Sequence, residues 1–171
     1  MMNKISPHVH SVTALDIPQF LPLVREYWRF EGIEGFDSER LTQLFARLLS
    51  NPHLGCAWIA QDDRAVPVGY LLAVYVFSLE YQGLTAEIDE FFVLPEQRSR
   101  GIGVALLNTA ESAFVTAGCT KIHLQLGRGN AAARAFYGRH GYVARNGYEL
   151  YDKTPAGEKS SPQRAGGASV P

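Results

Sequence analysis

The run from Glu87 to Leu107, E-I-D-E-F-F-V-L-P-E-Q-R-S-R-G-I-G-V-A-L-L, leaves few folds open to this chain. Ile88 to Leu94 is β-branched and aromatic, which predicts a buried strand. Pro95 ends it, having no N–H to give a sheet ladder. Ile102, Leu106, Ala110, Ala113, Phe114 and Ala117 then recur at helical spacing. Between strand and helix sit Arg98, Arg100, Gly101 and Gly103. A turn entering a helix presents free N–H groups and the positive end of the helix dipole. Two glycines let a ligand approach the backbone, and two arginines add charge. The expected property is an anion site, most plausibly for a phosphate or pyrophosphate.

An ordinary strand-to-helix connection with two surface arginines is the plain alternative, because short glycine motifs are weak signals. A Rossmann dinucleotide turn wants a third glycine where Leu106 stands. It also wants an acidic residue about 20 positions on, where the chain has Lys121 and His123. A P-loop is excluded because no Gly-Lys-Ser/Thr follows.

The 171 residues suffice for one domain with a core, and 46% apolar content is that of a soluble globular protein. A net charge of −1 creates no global field toward nucleic acid or an anionic membrane. No apolar run reaches the length of a membrane span. Met1 to His10 lacks the pattern of a signal peptide. Cys56 and Cys119 lie far apart in apolar surroundings and read as buried free thiols in a reducing cytoplasm. Neither has a helix start or cationic neighbour to make it a nucleophile. The five histidines show no metal spacing.

In chain order, Val9 to Leu15 predicts a first strand. Asp16 and Pro18 predict a helix start, and Phe20, Leu21, Leu23, Val24, Tyr27 and Trp28 form its apolar face. Gly32 and Gly35 break it. Ser38 is the expected cap of a second helix, whose stripe is Leu41, Leu44, Phe45, Leu48 and Leu49. Strands follow at Cys56 to Gln61, at Val66 to Leu79, where Gly69 could mark a bulge, and from Thr85. They make an antiparallel meander. Lys121 to Leu126 returns after a helix and should therefore pair in parallel with Glu87–Leu94. Tyr142–Ala144 and Tyr148–Tyr151, joined at Asn146-Gly147, read as a last hairpin. Residues 153–171 are rich in Gly, Ser and Pro with nothing to bury, which predicts a disordered tail after a domain of 1–152. The fold class is α/β (α+β): a mixed, mostly antiparallel sheet of six to seven strands flanked by about four helices.

A second informative segment is N-A-A-A-R-A-F-Y-G-R-H-G-Y from Asn130, with Asn130 as N-cap and Gly141 as C-cap. Val93, Pro95, Arg98, Gly101 and Gly103 make V-x-P-x-x-R-x-x-G-x-G. This pattern resembles the acetyl-coenzyme A signature of the GNAT superfamily of N-acetyltransferases, with Ser99 where many members have glycine. N-x-x-A-x-x-F-Y-x-x-x-G-Y, from Asn130 to Tyr142, is similar to that family's second signature. Two signatures in order, separated by a helix and a strand, are far more specific than one.

The resemblance implies acetyl-CoA as cosubstrate, with no metal. It places Phe92, Val93, Arg98, Ser99, Arg100, Gly101, Ile102, Gly103, Val104, Asn130, Ala133 and Tyr137 along the cofactor. It implies that the Val93 N–H steadies the thioester carbonyl and that Tyr137 protonates the leaving thiolate. The first two helices form part of the acceptor pocket in such proteins, so Tyr27, Trp28, Phe30 and Phe36 become candidates, although simple core packing also explains such aromatics. A homodimer is the family's habit. The partner implied is a small-molecule amine in the cytoplasm, neither nucleic acid nor membrane.

An alkylammonium with a pKa near 10.4 is only about 0.04% neutral at pH 7, so amine attack needs a base or a dry pocket. Glu90 is the favoured base, with Asp89 next. Strand alternation sends them to opposite faces unless a bulge intervenes. A thiol near 8.5 against a tyrosine near 10 makes full proton transfer uphill by about 2 kcal/mol, so Tyr137 helps as a hydrogen-bond donor. Glu80, Glu87, Asp89 and Glu90 together suit a cationic acceptor, and D-E-F-F-V resembles the acidic strand of polyamine and diamine acetyltransferases. That similarity implies that Asp89 and Glu90 hold the substrate's ammonium rather than act as bases; Tyr27, Trp28, Glu87 and Asp89 are the substrate-binding candidates. A cofactor-binding sensor without turnover is the alternative from another class, and a longer acyl donor stays open.

Overall fold

The computed structural model describes residues 7–156. Its strands are β1 (His8–Ser11), β2 (Gly55–Gln61), β3 (Pro67–Ser78), β4 (Gly83–Val93) and β5 (Lys121–Leu124). The helices are α1 (Ile17–Glu31), α2 (Ser38–Leu49), α3 (Ile102–Thr116) and α4 (Ala131–Arg139). The strands form one sheet in the order β1-β2-β3-β4-β5, antiparallel throughout except for the parallel β4–β5 pair. Helix α3 makes the crossover between those two, as parallel pairing requires.

Alternation along the strands divides two cores. Ala57, Ile59, Tyr70, Leu72 and Phe92 face α1 and α2. Trp58, Ala60, Leu71, Ala73, Ile88, Phe91 and Val93 face α3 and α4. Helix α1 ends at Gly32, whose φ of 66° lets the Ile33 N–H reach the Trp28 carbonyl at 2.8 Å. The Asp37 carboxylate, one residue before the expected Ser38, caps α2 through the N–H groups of Glu39 and Arg40. Asp16 precedes α1 but turns back, accepting from the Thr13 N–H and hydroxyl at 2.8 Å each.

Five strands form among the described residues, not six to seven. The expected C-terminal hairpin makes its turn at Asn146-Gly147, but residues 142–151 pair in no strand, and Val143, Tyr148, Leu150 and Tyr151 stay exposed. A two-stranded hairpin is marginal without a sheet face to cover. Arg145 instead lies over the rings of Tyr148 and Tyr81. Of the expected tail, residues 153–156 lie in no helix or strand, and the rest falls outside the described residues. Cys56 and Cys119 are free and half-buried, and burial raises both thiols above their ordinary range. No described helix is long and apolar enough to cross a membrane.

Candidate active site

A bulge in β4 shapes the site. Leu72 of β3 pairs with Glu90 and Ala73 pairs with Ile88, so Asp89 is the extra residue of the bulge. The insertion shifts the alternation: Ala86 and Ile88 face α3, and beyond the bulge Phe91 and Val93 do. Asp89 and Glu90 both fall on the α1/α2 side. They line one cleft of about 310 Å³, with Leu21, Val24 and Trp28 of α1, Leu41, Leu44, Phe45 and Leu48 of α2, and Leu72. The expected separation of the two carboxylates therefore does not occur, because strand alternation holds only between bulges.

Two neutral donors hold Glu90. Trp28 Nε1 donates to Oε1 at 3.2 Å, and Tyr70 Oη donates to Oε2 at 2.8 Å. Tyr70 is fully buried, and burial first, then the Glu90 charge, keep its phenol protonated well above the ordinary tyrosine range. Nothing near Tyr70 in sequence signals this contact, since it depends on the β3–β4 register. The apolar lining of Leu21, Val24, Leu41, Leu44, Leu48 and Leu72 was equally hidden. Periodicity reads those residues as core. Tyr27, expected on the pocket, is only 1% exposed and packs edge-on against Tyr70, inside the core. Glu87 accepts from Gln125 Nε2 at 2.8 Å and is absent from the cleft lining.

The β4–β5 pairing ends at Ile88–Leu124, where β5 itself ends, so the rest of β4 has no strand on that edge. The Leu94 N–H reaches the Val68 carbonyl on the β3 side. Alternation therefore turns the Val93 N–H to the opposite edge. Gly69 sits across from Val93, where an added Cβ would come within 2.8 Å of the Phe92 carbonyl oxygen. That close approach explains the glycine. The expected bulge falls beside it: Ala60 pairs with Gly69 and Gln61 with Pro67, so Val68 of β3 is the extra residue.

From Val93 the chain passes through a short 3-10 turn, Pro95–Gln97, into the arginine–glycine loop. Ser99 and Gly101 have φ of 61° and 85°, and Gly101 caps α3. The first bond of α3 runs from the Ala105 N–H to the Gly101 carbonyl, which leaves the N–H groups of Ile102, Gly103 and Val104 without a helical acceptor. Left-handed residues alternating with ordinary ones make an anion-binding concavity. Ile102 is buried and Val104 is exposed. Arg98 turns back from the loop. Its Nε donates to the Val93 carbonyl at 3.0 Å, and its guanidinium covers Phe30 at 4.8 Å and Phe92 at 5.8 Å. Its Nη2 is buried with no partner among the described residues. The row of free N–H groups on the loop fits a pyrophosphate, while the Arg98 guanidinium is directed to the α1 side, over Phe30 and Phe92.

On the α3 side, Asn130 caps α4 by accepting from the Ala133 N–H at 3.0 Å, and Ala133 is fully buried. Tyr137 of α4 packs against Phe91, Phe136 and Tyr142. It is 4% exposed, and burial raises its phenol well above the ordinary tyrosine range. Glu90 and Tyr137 thus stand on opposite faces of β4, whose edge beyond Ile88 carries no paired strand.

A model of the acetyltransferase (GNAT) family matches residues 18–142. An uncharacterised N-acetyltransferase of Methanocaldococcus jannaschii is 30% identical over 142 residues, covering 78% of this chain and 59% of that protein. The chain therefore spans about three fifths of that relative's length. An aminoglycoside N(6')-acetyltransferase type 1 of Klebsiella aerogenes is 27% identical over 117 residues, covering 68% of this chain and 76% of the relative. Among solved structures, an integron cassette protein from the mobile metagenome of Cole Harbour Salt Marsh matches with a TM-score of 0.76 at 27% identity, over 88% of this chain and 91% of that one. An aminoglycoside N-acetyltransferase solved with CoA matches with a TM-score of 0.75 at 16% identity, over 90% and 98% of the two chains, a likeness of fold alone.

Proposed function

The chain belongs to the acetyltransferase (GNAT) family, and from that premise we propose that it moves an acetyl group from acetyl-CoA to a primary amine by direct attack in a ternary complex. The observation that carries this is the edge of β4 left unpaired beyond Ile88, with the carboxylates of Asp89 and Glu90 on one face of β4 and Tyr137 on the other. A reaction that crosses at that edge is the one arrangement that uses both groups.

The loop from Arg98 to Val104 holds the pyrophosphate through its N–H groups and positive φ turns. Asn130 keeps its amide NH₂ for the cofactor while its oxygen caps α4. Asp89 and Glu90 draw the acceptor ammonium to that edge of β4, and Glu90 takes its proton, directly or through water. The freed amine lone pair forms the C–N bond as the C–S bond breaks, and the second proton that the nitrogen sheds passes through water to the thiolate, which leaves as the free thiol. The Val93 N–H meets the negative charge that builds on the carbonyl oxygen. Tyr137 donates its hydroxyl to the departing thiolate. With its phenol raised by burial, it acts as a neutral hydrogen-bond donor, and full proton loss to sulfur is more uphill than for an exposed tyrosine.

The acceptor is a small cationic amine. Relatives named for aminoglycosides support a cationic small molecule, and so do the two carboxylates on the cleft floor. Free Cys56 and Cys119 suit a reducing cytoplasm. The test is stabilisation of the protein by acetyl-CoA together with amine-dependent release of free thiol. Stabilisation without thiol release from any amine would leave only cofactor binding. No stabilisation would remove the Arg98–Val104 loop as a coenzyme A site.

A further inference from the structure

The lining of the cleft narrows the acceptor. Its charged members, Asp89 and Glu90, are adjacent in sequence and both come from the β4 bulge. The remainder is apolar: leucines from both helices and from β3, with Val24, Phe45 and Trp28. The stripe of α2 is only partly absorbed by the core: Leu41, Leu48 and Leu49 are half-buried against it. Only Phe45 of that helix is buried, and Leu44 is 49% exposed. A cleft wall of half-buried leucines, with Leu44 open, beside a pair of carboxylates asks for an apolar partner that carries one positive charge.

Resting on the acetyl-transfer reading above, we propose that the acceptor is a monoamine with an apolar body, an alkyl- or arylalkylamine, rather than a polyamine or an aminosugar. Its ammonium meets Asp89 and Glu90, and its hydrocarbon lies along Leu41, Leu44 and Leu48 of α2 and Leu21 of α1. A second ammonium several carbons away would be desolvated against leucine side chains with no counter-charge. The hydroxyls of an aminosugar would meet the same surface without partners. The volume of about 310 Å³ is at the small end for ligand pockets. At about 30 Å³ per water-sized group it holds a chain of roughly six to ten heavy atoms.

Hexylamine and 1,6-diaminohexane differ only in the far ammonium and make the deciding pair. Thiol release from acetyl-CoA is measured with both, with butylamine and octylamine, with 2-phenylethylamine, spermidine and an aminosugar. Calorimetry on the protein saturated with coenzyme A measures binding of the same pair where no transfer can occur. The expected result is a kcat/KM at least tenfold higher for hexylamine than for the diamine, rising about fourfold per methylene until the cleft is filled. Leu44→Glu places a second carboxylate on the apolar wall at a half-exposed position, so it should raise the diamine and lower hexylamine. Equal or better use of the diamine, spermidine or the aminosugar overturns the acceptor class and leaves acetyl transfer standing. Tighter binding of hexylamine with no thiol release from any amine does the reverse. Hexylamine that neither binds nor reacts, or a preference that Leu44→Glu leaves unmoved, also overturns the acceptor class.

Discussion

Tyr70 Oη donates to Glu90 Oε2 at 2.8 Å, and the two meet only because β3 and β4 pair in one particular register. Register places Tyr70 opposite Phe92 and Leu72 opposite Glu90, so the phenol and the carboxylate are diagonal neighbours on the α1 face. With Trp28 on the other oxygen, the carboxylate is fixed in direction before any substrate arrives. Replacing Tyr70 by Phe keeps the ring that packs between Phe20, Tyr27 and Phe92 and removes only the donor. A hydrogen bond to a charged group is worth about 1.5–3 kcal/mol, so Tyr70→Phe should lower kcat/KM by roughly tenfold or more. Circular dichroism melts beside steady-state kinetics would show whether the loss belongs to the site or to the fold.

Asp89 and Glu90 share a cleft but not an environment. Glu90 is oriented by two neutral donors, while Asp89 is an exposed bulge residue. Glu90→Gln should therefore cut kcat by about a hundredfold, the usual worth of a positioned base. Asp89→Asn should raise KM for a cationic acceptor several-fold and change kcat little. If the asparagine variant takes the larger loss in kcat, the two roles are exchanged.

Tyr137→Phe should lower kcat by between about tenfold and a hundredfold and leave acetyl-CoA affinity unchanged, since the ring stays and only the hydroxyl goes. Isothermal titration with coenzyme A and single-turnover thiol release separate the two effects. A variant with unchanged turnover would place the proton donor elsewhere.

Alkaline stability follows from the same burial. Tyr70 and Tyr137 both have phenols raised above the ordinary tyrosine range, with burial as the first cause. In the unfolded chain a tyrosine ionises near pH 10. Below that pH both states hold the proton and the fold keeps its full stability. Above it the unfolded chain loses protons that the native state retains, so stability falls with rising pH. Each of these two tyrosines contributes at most about 1.4 kcal/mol per pH unit. The melting temperature should be insensitive to these groups up to about pH 9 and fall beyond pH 10, with a shallower fall in Tyr137→Phe.

Gly101 tests the cofactor loop. Its φ of 85° needs glycine, although an added Cβ would meet nothing within 4 Å. Gly101→Ala therefore brings backbone strain without a clash, about 1–2 kcal/mol. Relaxing that strain turns the N–H groups away from the anion, and the Kd for coenzyme A should rise about fivefold or more by calorimetry. An unchanged Kd would mean that the loop does not bind the pyrophosphate through its backbone.

Residues close together in the chain carried what could be read from it. The strand, turn and helix across 87–107, the break of α1 at Gly32 and the cap at Asn130 depend on φ, hydrogen bonds or periodicity within a few residues. Such signals survive in any context that lets the segment fold. What the sequence could not decide rests on pairing between strands. The bulge at Asp89 exists because Leu72 and Ala73 take Glu90 and Ile88 as partners, and that alone moves both carboxylates to one face. The same register brings Tyr70 to Glu90 and buries Tyr27 between them and the core rather than on the cleft. The C-terminal hairpin shows the converse. Its Asn-Gly turn forms locally, but its strands find no sheet face, and a hairpin gains little from backbone pairing alone. Local chemistry thus determined most of the elements and the turn from Arg98 into α3. Tertiary packing decided which side chains meet, because a one-residue shift between strands reverses every face beyond it.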